Sequence, residues 1–528
     1  MTVNRPSPPD RDPRAPAPRR LLRLRPGVRI AVDGGDVELD HPWGRHRVRG
    51  LGAGAAALLA LLAAGDVDAG TLGLGPGPGS GPDAVRLMGL LERFPWLVTA
   101  VLADPEGRAL VDAVPIARSA GLPADGWAEA PAGAVVALSR FAYLRRLPEP
   151  GSDACVLESP LSAHRLTVHQ AAVGAFVAAL ATPRSPAEAA ASAGLPVATG
   201  QALAGLLAAT GFLEAGAGVD AGAGAGAGWW DFHDLVFHSR SRAGRHDYAG
   251  GETYARQGQA PPPAIPGRGP REGGPGIDLP VPDWGQVVAR DLTLTEILEG
   301  RESVRSYGQA PVTVHQIGEL LYRAARVRRV VPLVDSGSPT AYEAVDRPYP
   351  AGGAAGELEV YLAVANCDGL EPGVYRYDAA AHRLRPRPWS DAGGGGRGDE
   401  AAFRELLASA WRGAGRMVEP QVLIIVTSRF GRLSWKYSQI AYALTLKHVG
   451  ALYQTLYLVA TAMGIGPCGL GSGDVDLAAR ALGLDWTEES SVGEFLIGSR
   501  PPGETAVGSG FTDLVAESRG GCPLGESP

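Results

Sequence analysis

The sequence predicts an α+β protein of more than one domain, and three observations carry that reading. At 528 residues the chain is too long for a single ordinary domain. Period-two apolar runs such as Leu358–Val364 alternate along it with helical runs opened by capping residues, as where Thr313 stands three before Gln316. One stretch, Trp435–Asp474, joins a polar entry, a long apolar helix and a glycine-rich exit, the layout of a cofactor site on a buried scaffold.

Composition narrows the class. Hydrophobic residues make up 45% and charged residues 20%, enough apolar material for packed cores. A net charge of −7 argues against a general nucleic-acid surface. The four cysteines, Cys155, Cys367, Cys468 and Cys522, lie far apart with neither CxxC nor zinc spacing, so no disulfide framework or metal site is expected. The N-terminus has no apolar signal-peptide core, and no run approaches the ~18 apolar residues of a membrane helix. These features predict a soluble cytoplasmic protein.

In chain order, residues 1–20 are rich in Pro and Arg and are expected to be disordered. A first module, 21–145, opens with a hairpin in which Val28, Ile30 and Val32 alternate, Gly34-Gly35 turns, and Val37 and Leu39 alternate again. Helices follow at Ala55–Leu62 and Leu87–Leu97, and a strand at Thr99–Leu102. A second module, 151–215, ends in two helices, expected to be capped by Ser185 and Thr199, and a return strand GFLEA. That arrangement is winged-helix-like. Its second helix offers only Gln201 toward bases, so peptide binding or a structural role is favoured over DNA. Residues 216–288 read as linker and strap. Within them His233, His238 and His246 could ligate a metal, but a connector whose aromatics anchor it to a neighbouring surface is favoured. A catalytic domain is expected at 289–502, beginning near Asp291, followed by a tail at 503–528.

In that domain Arg301, Ser303 and Arg305 alternate, so an extended backbone points two guanidinium groups and a hydroxyl the same way, toward an anion. A Pro/Gly loop, Pro348–Gly353, leads into the strand Leu358–Val364. The central helix, roughly Ser438 to Met463, is apolar most of the way round, which predicts burial in a core or an interface. Gly464 closes it. The exit carries Gly466, Gly469, Gly471 and Gly473, a loop with little side chain to obstruct a flat ligand. Cys468 reads as a small buried residue, and His448 as a core or interface histidine.

The order R-E-S-V-R-S-Y, P-Y-P-A-G-G, S-W-K-Y, Gln454, G-P-C-G-L-G-S-G-D and S-S-V-G-E-F-L-I-G, spread over 290–502, resembles the SagB-type dehydrogenases. These are thiazole- and oxazole-forming peptide maturases of the FMN-dependent nitroreductase superfamily. The segment WWDFHDLVFHSRSRAGRHD also resembles the one preceding this domain in longer actinobacterial members. The resemblance implies a nitroreductase-like α+β domain with a mostly antiparallel sheet flanked by helices, and a homodimer holding FMN at its interface. It implies FMN contacts from Arg301, Ser303 and Arg305, from Pro350, Ala351, Gly352 and Gly353, from Gln454, from Gly469, Leu470 and Gly471, and from Arg500. Ala351 departs from the serine common in that loop, which removes one hydroxyl contact. Lys436 and Tyr437 match the pair thought to act in azoline oxidation. A nearby ammonium would lower the phenol's pKa and desolvation the lysine's, so either could serve as base. The implied partners are a precursor peptide and a cyclodehydratase, with the two N-terminal modules as peptide or partner clamps. The rival readings are an NAD(P)H-dependent nitro- or quinone-type reductase and a flavin-fold scaffold without chemistry.

Overall fold

The computed structural model describes residues 17–503 except 42, 74–80, 122–128, 132, 148–153, 216–224, 249–250, 267–275, 333–337, 389–397 and 417–418. The N-terminal segment before residue 17, most of the Gly/Ala linker, the middle of the strap, Gly393–Gly396 and the tail from 504, with Cys522, lie outside the described residues. The chain forms two compact units, 1–249 and 250–528. Among the described residues no single helix is long and apolar enough to cross a membrane.

In the first unit the expected hairpin is present, Arg29–Asp33 against Asp36–His41, with Gly44–Val48 added as a third strand. The boundary expected between 145 and 151 is absent as a division of the fold. One seven-stranded sheet runs through it, ordered Val67–Asp68, Arg19–Leu24, Val98–Ala103, Ala109–Pro115, His164–Val168, Cys155–Glu158, Tyr143–Arg146. Its join is the antiparallel pairing of Val111 through Pro115 with Val168 through His164. Such pairing is non-local, and local periodicity carries no trace of it.

The helix pair follows the same rule of local success and local failure. Ser185 and Glu188 form a reciprocal capping box on Pro186–Ala193. The second helix, Val197–Ala209, starts from Pro196 instead of Thr199, which is buried in its first turn beside Gly200 and Leu203, so packing carries the helix past the polar residue. The return strand Leu213–Ala215 pairs with Val136–Leu138 as a wing. The connector is anchored to this unit through Asp247, bound by Arg25 at 2.8 Å and Arg165 at 3.0 Å, and Tyr248, bound by Arg145 at 2.8 Å. Its tryptophans do less than expected, since Trp229 is 91% exposed.

The second unit is built on another seven-stranded sheet. Its strands are β1 (Ile277–Asp278), β2 (Leu358–Val364), β3 (Gly373–Asp378), β4 (Arg383–Pro386), β5 (Val422–Arg429), β6 (Gly466–Leu470) and β7 (Glu489–Gly498). They lie in the order β1-β4-β3-β2-β5-β7-β6, and every pair is antiparallel. Alternation sorts each strand onto two faces. Leu358, Val360, Leu362, Ile424, Val426, Phe495 and Ile497 pack with the helix Val314–Ala325 and the central helix. Tyr361, Ala363, Leu423, Ile425 and Leu496 pack on the other face, with helices Glu400–Gly413 and Val475–Leu482. A sheet covered on both sides explains why β5 reads as an unbroken apolar run.

This unit begins well before Asp291. Strand β1 closes one edge of its sheet, Gly251–Glu252 pairs with Tyr437–Ser438, and Trp435 donates its indole N–H to the Gln259 carbonyl at 2.8 Å. Two-residue pairings of this kind leave no pattern in a sequence. The central helix runs Ala441–Ala462, and Gly464, at φ 69°, lets Ile465 N–H return to the Ala460 carbonyl. Beyond it the expected bare loop is in part a strand. Gly466 through Leu470 is β6, where glycines are required because neighbours crowd the backbone: a Cβ on Gly466 would stand 2.9 Å from Val304.

Crowding by a rigid group is severe at Gly498, where a Cβ would collide with the ring of Tyr307. Gly498→Ala should therefore destabilise the second unit by about 1–3 kcal/mol, read as a lowered urea midpoint with unchanged m-value; an unaltered midpoint would show that the ring has room to move.

Candidate active site

Two polar clusters form on the central helix, near its two ends. A buried stripe of Thr445, His448, Val449, Leu452, Leu456 and Ala460 seats the helix, at the i, i+3, i+4, i+7 spacing of one face. Away from that stripe Leu446 is 40% exposed, while Tyr442, in the first turn and in line with Val449, is 48% exposed. Gln454 lies on that exposed side.

The first cluster gathers around Lys436 and Tyr437, just before the helix. Lys436 Nζ donates to Tyr342 Oη at 2.7 Å and pairs with Glu252 Oε1 at 3.0 Å. Tyr437 Oη donates to the same Glu252 oxygen at 3.2 Å, and Tyr342 Oη donates to the Gly353 carbonyl. The adjacent lysine and tyrosine thus converge on one carboxylate instead of diverging as helix neighbours would. Gly353, at φ +59°, presents its bare Cα face to them: a Cβ there would lie 2.6 Å from Lys436 Nζ and 2.9 Å from both Tyr342 Oη and Tyr437 Oη. Only glycine fits, by conformation and by space.

The loop itself is clamped twice. Gly352 N–H donates to His448 Nε2 at 2.6 Å, so that nitrogen is the acceptor and Nδ1 carries the proton donated to Glu357. Both His448 and Glu357 are buried. His448 is therefore a core histidine with a task, since it joins the Pro350–Gly353 loop to the central helix.

The electrostatics reverse the expectation for both members of the pair. Burial pulls the Lys436 pKa down, but the hydrogen bonds to Tyr342 and Glu252 outweigh it, leaving it above the ordinary lysine value. Burial pushes the Tyr437 phenol up to about 12, against the lowering by the Lys436 ammonium. Glu252 sits below the usual carboxylate range, chiefly through the Lys436 hydrogen bond. The Glu252 carboxylate, distant in sequence, favours the ammonium and opposes the phenolate.

The second cluster centres on Tyr457. Its hydroxyl accepts from Gly469 N–H at 2.7 Å and meets Ser303 Oγ at 2.8 Å, while the Arg301 guanidinium lies 5.3 Å from its ring centroid. One phenol thus joins the R-x-S-x-R segment, the helix and β6. Val304 points the other way, buried, with its N–H on the Pro467 carbonyl at 2.8 Å; Arg305 is exposed. Arg500 binds Glu302 through Nη1 at 2.7 Å, yet its buried Nε and Nη2 have no hydrogen-bond partner. Two orphaned donors of one guanidinium suit an anionic oxygen. Cys468 is buried, its thiol pushed up by burial, and plays no visible part.

The structure therefore brings Lys436, Tyr437, Gly352 and Gly353 together at one cluster and Arg301, Ser303 and Gly469 at the other. Gly469 and Leu470 belong to a strand, Leu470 is buried in the sheet, and Gly471 follows the strand with open space beside it. Glu252 and Tyr342 are missed by the sequence reading, and His448 is read there only as a core or interface histidine. Tyr457 shows in the sequence only as part of a helix apolar most of the way round, and Glu252 carries no signal.

Comparison with known proteins agrees with this architecture. Residues 298–499 match the model of the nitroreductase family, and residues 136–247 that of the cyanobactin oxidase ThcOx. A protein of Methanocaldococcus jannaschii bearing a nitroreductase name is 27% identical over 196 residues, 37% of this chain and 84% of that protein. A nitroreductase-type crystal structure from Ralstonia eutropha is 21% identical at TM-score 0.31, covering 46% of this chain and 98% of that one. A chain of the Escherichia coli microcin synthetase McbBCD complex, solved with truncated pro-MccB17 bound, is 22% identical at TM-score 0.29, covering 36% of this chain and 65% of that one. The nitroreductase-like α+β fold expected of the C-terminal region is present, and both family models accord with the SagB-type resemblance.

Tyr457→Phe removes the shared acceptor and should destabilise the second unit by about 1–3 kcal/mol, because the Gly469 N–H loses its partner. Hydrogen exchange at Gly469 should accelerate in step; unchanged exchange would mean that water replaces the hydroxyl at no cost.

Proposed function

We propose that this chain, in which a nitroreductase-family domain follows a cyanobactin-oxidase-like segment in the manner of the SagB-type dehydrogenases, is an FMN-dependent azoline dehydrogenase. Its substrate is a ribosomally made precursor peptide whose thiazoline or oxazoline rings it oxidises to thiazoles or oxazoles. The observation that carries the reading is the convergence of Lys436 and Tyr437 on the bare face of Gly353, a built proton-handling site that a simple flavin reductase does not need.

FMN fits the residues present. Arg500, with its two unmet buried donors, would take the phosphate beside Arg301, Ser303 and Arg305. Pro350, Ala351, Gly352 and Gly353 would border the ring, with Gln454, Gly469, Leu470 and Gly471 as further contacts. When bound, FMN would supply the hydride acceptor. Lys436 would hold positive charge beside the reacting ring, and Tyr437 would handle the proton.

His448 and Tyr457, which mark the two clusters, are nine residues apart on one helix, a rise of roughly 14 Å. A homodimer packed on the exposed helix side, with Leu446 and Gln454, would bring the basic cluster of one copy toward the Lys436 cluster of the other. The first unit would hold the peptide or a partner cyclodehydratase in the cytoplasm. The nitroreductase match over 298–499 sustains one rival, an NAD(P)H-dependent nitro- or quinone-type reductase.

The protein should purify yellow, release FMN on denaturation and run as a dimer. It should remove two hydrogens per azoline ring, read by mass spectrometry, and Lys436→Ala or Tyr437→Phe should each cost about 100-fold or more in kcat. Rapid bleaching by NADPH under argon, with azolines untouched, would establish the reductase instead. Gly353→Ala, forced into a left-handed backbone against Lys436, should bind FMN about tenfold more weakly, a penalty near 1.4 kcal/mol; undiminished flavin content would remove this loop from the site.

A further inference from the structure

We infer that Glu252 is the terminal proton acceptor of a relay that runs from the substrate ring through Tyr437 Oη to Glu252 Oε1. This deepens the azoline reading and rests on it. Glu252 falls between the segments that match the two family models, which end at 247 and resume at 298. It arrives from the strap, on the two-residue strand that pairs with Tyr437–Ser438.

The direction of each hydrogen bond decides which group can accept a proton. Lys436 donates to Tyr342 and to Glu252, and the Tyr342 hydroxyl donates a hydrogen bond to the Gly353 carbonyl. The lysine is a donor throughout and has no lone pair with which to take a substrate proton. Tyr437 spends its proton on Glu252, which leaves its oxygen lone pairs available. The groups facing this pair are Glu252 from the strap, Tyr342 with the Arg432 guanidinium over its ring, and Tyr254, whose ring centroid is 5.8 Å from Lys436 Nζ. Among the described residues, Glu252 is the only carboxylate hydrogen-bonded to the phenol.

A free phenolate is a minor species at neutral pH, because burial holds this phenol up to about 12. Tyr437 can act as base only if it sheds its proton as it gains another. In that step a ring C–H bond breaks and its proton moves to Tyr437 Oη, while the Tyr437 proton moves to Glu252 Oε1. The electron pair left on the ring forms the new double bond as a hydride departs from the neighbouring ring carbon to an oxidant of the flavin class. Glu252, 52% exposed, then returns its proton to water. The Lys436 ammonium favours charge developing on ring and phenol alike.

Glu252→Gln keeps an acceptor oxygen for Lys436 and Tyr437 but cannot take the proton. Expected is a fall in kcat of about 100-fold, KM changing less than about twofold, and unchanged FMN content; Glu252→Asp should recover part of the rate, and Glu252→Ala should be rescued by added formate. A kcat for Glu252→Gln within about twofold of the wild type, or no rescue by formate, overturns the relay while leaving the azoline reading intact. A second arm needs no substrate. The ultraviolet phenolate absorbance of Tyr437, taken as the difference from Tyr437→Phe, should appear at lower pH in Glu252→Gln, because the carboxylate charge that opposes phenolate is gone. An unchanged onset separates Glu252 from Tyr437 and overturns the proposal. If the wild type holds FMN but oxidises no azoline, the azoline reading fails, and the phenolate arm still decides whether Glu252 governs Tyr437.

Discussion

The seating of the central helix on the antiparallel sheet is the constraint on which the rest of the second unit depends. A single buried stripe fixes its rotation, and that rotation decides which polar groups meet. His448, within the stripe, reaches the backbone of Gly352; Tyr457, further along, reaches Ser303 and Gly469. A turn of about 100° about the helix axis, one residue of slippage, would dissolve both clusters together. Loop, arginine segment and exit strand are therefore positioned by one hydrophobic decision.

Charge balance at the Lys436 cluster is the second governing fact. A lysine beside a tyrosine invites the view that each activates the other. Adding one carboxylate changes the sign of the outcome, because Glu252 stabilises the ammonium and opposes the phenolate at the same time. The chemistry available is then that of a fixed cation next to a phenol whose proton already has a destination. Gly353 completes the site by leaving out a side chain, which keeps the three polar atoms open to a neighbour.

Much of this unit could be read in advance, and the reason is local. The capping box at Thr313–Gln316 declares its helix because its two members are three residues apart. The strand Leu358–Val364 is legible by its alternating run, although all seven of its residues are buried, and Gly464 by the left-handed turn it permits. Where a partner is distant, the same reading falters. Thr199 looked like a cap and proved to lie inside a helix begun by Pro196, and the glycines of Gly466–Leu470 looked like a loop and proved to be a crowded strand.

The sequence by itself determined the α+β class, the motif order across 290–502 and the Lys436–Tyr437 pair, because residue type and short spacing suffice for each. Tertiary structure alone decided that the two expected N-terminal modules share one sheet, that the strap delivers Glu252 to Lys436, and that Tyr457 binds two motifs into one site. Ser303 and Tyr457 lie 154 positions apart, and Glu252 and Tyr437 185; such contacts are selected by packing of whole elements, a quantity no short window of sequence contains.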